Sequence, residues 1–219
     1  MDVPCFGEGG GKLEAGSWKP SADGRGEEWR KVVHLGVGAG ALVVRFLEPW
    51  MIFTGAALGV LFNLVVLPRL AFGRRLYRKG EGLLAGIGMY PVGVLLAFLL
   101  FPIPAAAAAW GVLAAADCAS NEVGRRFPLK RLPWNPGKSW GGTLAFLVVA
   151  GPVAWGLAAW TLSGHPLAGA TPGRLALGAA LAALAGALAE SLPLPITDNL
   201  VVILAAGGAL AAVLLLPWT

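Results

Sequence analysis

The sequence predicts an all-α protein, a polytopic membrane helical bundle with about seven transmembrane helices and a cytoplasmic N-terminus. Hydrophobic residues make up 57% of the 219 residues and charged residues only 13%. Mean hydropathy is +0.70, a composition typical of chains that cross a membrane repeatedly. Uncharged stretches close to the roughly 20 residues that span a bilayer recur along the chain. The cations collect at every second connection between these stretches, which supports the count of seven.

The predicted spans follow one another with short connections. In chain order they cover residues 32–47, 49–68, 82–102, 103–120, 141–164, 174–190 and 199–219. Pro102 and Pro104 divide one long apolar segment into the third and fourth spans, because proline interrupts the helical hydrogen-bond ladder. Residues 1–27 are rich in glycine and mixed in charge, so we expect a flexible tail. Residues 28–219 are predicted to form a single transmembrane domain.

The distribution of positive charge predicts the orientation. Of 17 Lys and Arg, five precede the first span, five follow the second and five follow the fourth. With seven spans these three regions share one side, and the positive-inside rule makes that side cytoplasmic. We therefore expect a multi-pass protein of the inner, cytoplasmic membrane. The net charge of +5 reflects this topology and the attraction of anionic lipid, and not nucleic-acid binding. Cys5 and Cys118 lie on the reducing side, where no disulfide is expected.

The segment from residue 117 to 142 carries the strongest candidate site. Asp117 ends an uncharged run, and an ionisable residue facing the interior of a helical bundle is a candidate functional residue because its burial is costly. Glycines let backbone amides approach an anion, and a helix N-terminus favours phosphate oxygens. The candidate residues that follow are Asn121, Gly124, Arg125, Arg126, Lys130, Lys138, Ser139, Gly141 and Gly142. A plain basic loop, with Asp117 paired to Arg125 or Arg126, explains the same pattern equally well.

Two further segments are predicted to face the cytoplasmic side, as residues 117–142 do. Arg30, Lys31 and His34 are spaced by three and four residues and share a helix face. They form either a cationic corner for a phosphate or snorkelling cations beside a hydrogen-bonded histidine, and spacing alone favours the second.

The last connection on the cytoplasmic side, between the sixth and seventh predicted spans, carries Glu190, Asp198 and Asn199 at its two ends. They are candidate ligands of Mg²⁺, which prefers carboxylate oxygens. Alternatively, Asp198 or Asn199 caps the seventh helix.

These segments resemble the dolichol kinase, phytol kinase and polyprenol kinase family of membrane enzymes, which phosphorylate lipid alcohols. The family motif is D-x-x-A-x-x-x-G-x-x-x-G-x(8)-K-K-T-x-E-G. Its conserved spacing is matched here by Asp117, Gly124, Lys138, Ser139 and Gly142, and departures stand at Ser120, Pro128, Gly137 and Gly141. Residues 28–34 resemble E-x-R-K-x-x-H, residues 90–93 resemble Y-P-x-G, and residues 190–200 resemble E-x-L-P…D-D-N-L with Thr197 at an aspartate position. The resemblance covers roughly residues 28–205.

The resemblance implies transfer of the terminal phosphate of CTP, or another nucleoside triphosphate, to a prenol such as phytol, farnesol or a polyprenol. Asp117, Lys138 and Asp198 would be catalytic, and Asp117, Glu190, Asp198 and Asn199 would bind Mg²⁺. The basic and glycine residues of the 117–142 segment, with Arg30, Lys31 and His34, would bind the nucleotide.

Three other functions stay open on the sequence. One is a phosphatidate cytidylyltransferase that makes CDP-diacylglycerol, although its usual His-Gly-Gly signature near the C-terminus is absent. Another is a small-solute transporter, which would keep polar groups near the membrane midplane. The third is a structural membrane subunit, which would require neither Asp117 nor Glu190.

Overall fold

The computed structural model describes residues 24–70, 88–194 and 197–217, with side chains from residue 28 onward. Seven α-helices lie in these ranges: α1 Gly24–Gly38, α2 Pro49–Leu61, α3 Met89–Leu100, α4 Ile103–Arg126, α5 Trp140–Leu162, α6 Pro172–Ser191 and α7 Asp198–Leu215. Short 3-10 turns at Ala39–Leu42 and Val44–Phe46 continue α1. A π-helical turn at Phe62–Val66 and a 3-10 turn at Leu67–Arg69 continue α2. Most of the predicted tail, residues 1–23, and four of the five cations after the second span lie outside the described residues.

Five helical segments are long and apolar enough to cross a membrane: Pro49–Arg69, Ile103–Arg126, Trp140–Leu162, Pro172–Ser191 and Asp198–Leu215. α3 is also apolar but shorter, at 12 residues. The prediction of an all-α, multi-pass membrane bundle is confirmed at this level. Seven spans and a cytoplasmic N-terminus stay predictions.

α4 is the central helix of the bundle and contacts α1, α3, α5 and α7. Its run Ala105–Ala109 is buried, as are Val112 and Leu113. Small side chains let neighbouring membrane helices approach closely, which is why this alanine-rich face can lie in the middle. α3 ends at Leu100 and α4 begins at Ile103, so the predicted break at the prolines is confirmed.

The connection after α4 differs from the expected loop in two respects. α4 continues to Arg126, so residues 121–126 are helical where a loop was expected. Beyond it, β1 Arg131–Leu132 and β2 Asn135–Ser139 form an antiparallel two-stranded ribbon. Strands of two and five residues are too short to show an alternating pattern in sequence. This ribbon carries Lys138 towards the ends of α6 and α7.

Candidate functional site

Lys138 is the centre of an ion cluster at one end of the bundle. Its Nζ donates to Glu190 Oε1 at 2.7 Å and to Asp198 Oδ2 at 2.8 Å. Ser120 Oγ donates to the same Glu190 oxygen at 2.8 Å. The side chain of Glu190 is 1% exposed, that of Lys138 19% and that of Asp198 41%. We call Lys138, Glu190 and Asp198 the lysine–carboxylate cluster, and the end of the bundle where it lies the charged end.

Three elements position this cluster. The β-ribbon is held against the end of α6, because Asn135 Nδ2 donates to the Ser191 carbonyl at 3.1 Å and Trp134 Nε1 to Ser191 Oγ at 3.4 Å. Ser191 directly follows Glu190, so these contacts bring Lys138 to its carboxylate partner. Asp198 is the first residue of α7.

The electrostatics keep Lys138 positively charged. Burial by itself lowers the pKa of its ammonium, but the negative charges of Glu190, Asp198 and Asp117 outweigh burial and raise the pKa above its ordinary value. Asp117 therefore lies near enough to act on the cluster from α4. Its backbone carbonyl also accepts a hydrogen bond from Asn121 Nδ2 at 2.9 Å. The sequence prediction that Asp117, Lys138, Glu190 and Asp198 share one end of the bundle agrees with this geometry.

Glu122 is the residue that the sequence reasoning missed. It accepts from Arg125 at 2.7 Å and from Arg126 at 2.6 Å, and it also pairs with Lys31 of α1. The basic-loop interpretation had paired Asp117 with Arg125 or Arg126. In the structure the partner of both arginines is Glu122. Helical spacings of three and four residues could have indicated the two arginine pairs once α4 was extended to Arg126. We call Glu122, Lys31, Arg125 and Arg126 the Glu122 cluster.

The glycine-rich segment serves packing and capping. Ser139 caps α5, since its Oγ accepts from the Gly142 amide at 3.2 Å, and the Gly141 amide donates to the Pro128 carbonyl at 3.4 Å. Both amides that were expected to bind phosphate are therefore already used within the chain. A Cβ on Gly142 would lie 2.9 Å from the Ser120 carbonyl oxygen, and one on Gly124 would lie 3.0 Å from Ser139 Oγ. These glycines are needed because α4 and α5 approach each other closely here.

The surroundings of His34 agree with the alternative in which it is a hydrogen-bonded histidine and not part of a phosphate site. Its Nε2 lies 3.3 Å from the Leu113 carbonyl, and its ring packs edge-on against Tyr90 with centroids 4.3 Å apart. Trp110 Nε1 in turn donates to the Tyr90 hydroxyl at 2.8 Å. These contacts tie α1 and α3 to α4, and His34 contacts a helix backbone where a phosphate had been considered. The side chain of Lys130 is exposed, while Arg30 is half-buried.

The start of α7 differs from the capping interpretation. The N-cap residue is Thr197, and Asp198 lies in the first turn with Asn199 half-buried after it. A carboxylate in that first turn is favoured by the helix dipole. Asp198 is thereby free of a capping role and contacts Lys138.

The carboxylates at the charged end are candidate ligands of Mg²⁺. Among the described residues, no group of three His, Cys, Asp or Glu side chains is arranged to hold a metal ion. A magnesium ion that arrives with a nucleotide needs only one or two carboxylates, because phosphates and waters complete its shell. Glu190 Oε2 is a buried oxygen without a hydrogen-bond partner, close to Asp198 through their shared lysine. Among the described residues, Glu190 and Asp198 therefore offer two neighbouring carboxylates, and a metal ion bound there would have to bring its remaining ligands with it.

Comparisons with models of known protein families, with curated proteins and with solved structures found no match to this chain.

Proposed function

We propose that this protein is a membrane lipid-alcohol kinase, which transfers the terminal phosphate of CTP or another nucleoside triphosphate to a prenol at the cytoplasmic side of the inner membrane. The observation that supports the proposal is the lysine–carboxylate cluster at the end of an apolar helical bundle. An ionisable group in such a bundle is expensive and marks a functional site by default. A cation and several carboxylates held at a bilayer surface are what phosphoryl transfer to a lipid requires.

Each residue of the cluster has a role in this proposal. Lys138 remains an ammonium and binds phosphate oxygens as a point charge. Glu190 and Asp198, with Asp117 and Asn199 beside them, would hold Mg²⁺, which neutralises phosphate charge when it is bound. Asp117 or Asp198 accepts the proton of the acceptor hydroxyl as its oxygen bonds to the terminal phosphorus and the bond to the departing nucleoside diphosphate breaks.

The cations around the cluster would guide the nucleotide to it. Arg126 is 68% exposed and Arg125 38%, so both present guanidinium groups to solvent although they pair with Glu122. Lys130 is exposed on the adjoining segment. Exposed cations of this kind attract an anionic nucleotide over distance, and arginine matches phosphate oxygens with a planar fork.

The test is a product analysis with purified protein, Mg²⁺, labelled CTP or ATP, and a panel of phytol, farnesol, geranylgeraniol, polyprenol and diacylglycerol. A kinase releases the nucleoside diphosphate and a lipid phosphate, whereas a cytidylyltransferase acting on phosphatidate releases pyrophosphate. Asp117→Asn should fold and lose most turnover. Glu48→Gln, an exposed carboxylate at the opposite end of the bundle, is the matched control and should keep wild-type turnover. Full activity of a folded Asp117→Asn protein would refute the assignment.

A further inference from the structure

A lateral apolar groove of about 470 Å³ runs along the side of the bundle. α4 forms its floor, while α1 with its 3-10 extension and α5 form its two walls. The residues that define it are Leu35, Leu42, Ala114, Ala115, Gly156 and Trp160. Because α4 and α5 are among the helices long and apolar enough to cross a membrane, the medium at the open side of this groove is hydrocarbon.

One end of the groove is closed. Trp160 Nε1 donates to the Leu42 carbonyl at 2.9 Å, which joins α5 to the extension of α1. The Arg45 guanidinium lies 4.1 Å from the centroid of the Trp160 ring. The indole N–H is thus satisfied, and the ring presents an apolar surface at this end.

The other end leads to the charged end of the bundle. Ala114 lines the groove, and Asp117 follows three residues later, about 4.5 Å along the helix axis and about 60° around it. Glu122, Arg125 and Arg126 lie five to nine residues beyond Asp117, which is about one and a half to two and a half turns of α4. The Glu122 cluster contains three cations and one carboxylate, so an excess of two positive charges faces whatever emerges from the groove.

We infer that this groove holds the hydrocarbon tail of the lipid alcohol, with the hydroxyl at the end of the groove that is nearest to Asp117 along α4. The identity of the head group rests on the proposed kinase function. The positive excess of the Glu122 cluster is complementary to the phosphate that the product would carry, whereas the groove itself matches only an uncharged chain. A lipid bound in this way would be oriented with its reacting oxygen towards the lysine–carboxylate cluster.

The length of the groove limits what it recognises. Pro152 and Trp160 both line it and lie eight residues apart on α5, which corresponds to about 12 Å. This is less than half of the roughly 30 Å hydrocarbon core of a bilayer. The groove therefore binds the part of the tail nearest the hydroxyl, and longer tails leave it sideways into the membrane. We expect discrimination by the shape of the first prenyl units and little by total chain length.

Two glycines of α5 allow a matched test. A Cβ on Gly156 or on Gly151 would meet no atom within 4 Å, so both positions tolerate a side chain. They are five residues apart and face about 140° away from each other. Only Gly156 lines the groove. Gly156→Leu should fill it, and Gly151→Leu should leave it open.

The experiment is photolabelling of the purified full chain, without nucleotide, by farnesol that carries a diazirine on its tail, followed by peptide mapping. Label is expected on α5 between residues 152 and 160, and Gly156→Leu should reduce it by about tenfold or more through lost apolar contact. Gly151→Leu should label as the wild type does. If Gly156→Leu does not fold, Ala39→Leu, at an exposed position in the same groove, replaces it.

Equal labelling of the Gly156 and Gly151 variants, or label confined to other helices, would overturn the inference. Because no phosphate is transferred in this assay, its outcome is separate from that of the kinase proposal. Specific labelling together with an inactive enzyme would retain the groove and reject the kinase. Turnover together with nonspecific labelling would support the kinase proposal and reject the groove as the site of the tail.

Discussion

Lys138→Met tests whether the lysine–carboxylate cluster holds the charged end of the bundle together. The substitution keeps an unbranched chain of similar length and removes the ammonium. Glu190, which is 1% exposed, then keeps Ser120 Oγ as a donor to Oε1, while its Oε2 is without a partner. Removing one member of a buried ion pair costs about 3–5 kcal/mol, since a charge is left buried and uncompensated. The Asp198 side chain is 41% exposed, so loss of its ion pair with Lys138 adds only about 0.2–1 kcal/mol to the loss of stability.

Thermal unfolding in detergent measures this loss. For a chain of this size, about 3–5 kcal/mol corresponds to a decrease in Tm of roughly 6–20 °C. Lys130→Met removes an exposed cation from the same segment and should change Tm little. The double variant Lys138→Met/Glu190→Gln should recover more than half of the loss, because the uncompensated charge is removed with its partner. An unchanged Tm for Lys138→Met, or no recovery in the double variant, would refute the reasoning. In the kinase assay, Lys138→Met should lower turnover by roughly 30- to 1000-fold if the ammonium acts as a preorganised donor.

Two further variants and a pH series probe other contacts at the charged end. Gly142→Ala should destabilise the protein by about 1–3 kcal/mol through overpacking against Ser120, while Gly151→Ala should not; equal Tm values for the two variants would contradict the packing role. Glu122→Gln should cost about 1 kcal/mol and speed amide exchange in α1, with an effect that shrinks as salt is added, and a salt-independent effect would argue against an ion cluster. The raised pKa of Lys138 means that its stabilisation is complete below the ordinary value of 10.5 and is lost only as pH rises through the higher folded-state pKa. The Tm difference between wild type and the Lys138→Met/Glu190→Gln variant, which carries no unpaired buried carboxylate, should therefore be constant from about pH 7 to pH 9, and a difference that decreases over this interval would contradict the assigned pKa direction.

The class of protein could be predicted from the sequence because the bilayer imposes a local rule. Long apolar stretches must form helices to satisfy their backbone groups in hydrocarbon, so composition and run length indicate membrane helices without knowledge of packing. Proline acts locally as well, and the break at Pro102 appears where it was predicted. The acidic residues and the lysine could be selected as candidates for the same reason, since few charges are placed among so many apolar residues.

The pairing of these groups could not be predicted in this way. Lys138 contacts partners 52 and 60 residues later in the chain, and these contacts depend on how α6 and α7 pack and rotate against α4. The sequence interpretation assigned the Gly141 and Gly142 amides to a phosphate because it could not see that Pro128 and Ser139 accept from them. It also ended α4 too early, which concealed the role of Glu122.

Composition and run length were sufficient to indicate a helical membrane protein and to select most of the ionisable residues at the charged end, but not Glu122. The folded structure was needed to show that Lys138 contacts Glu190 and Asp198, and that the glycines between α4 and α5 are packing residues. These two kinds of property differ in the sequence distance over which they are set. Burial in a bilayer depends on each segment alone, whereas an ion pair or a close helix contact requires the relative placement of segments far apart in the chain.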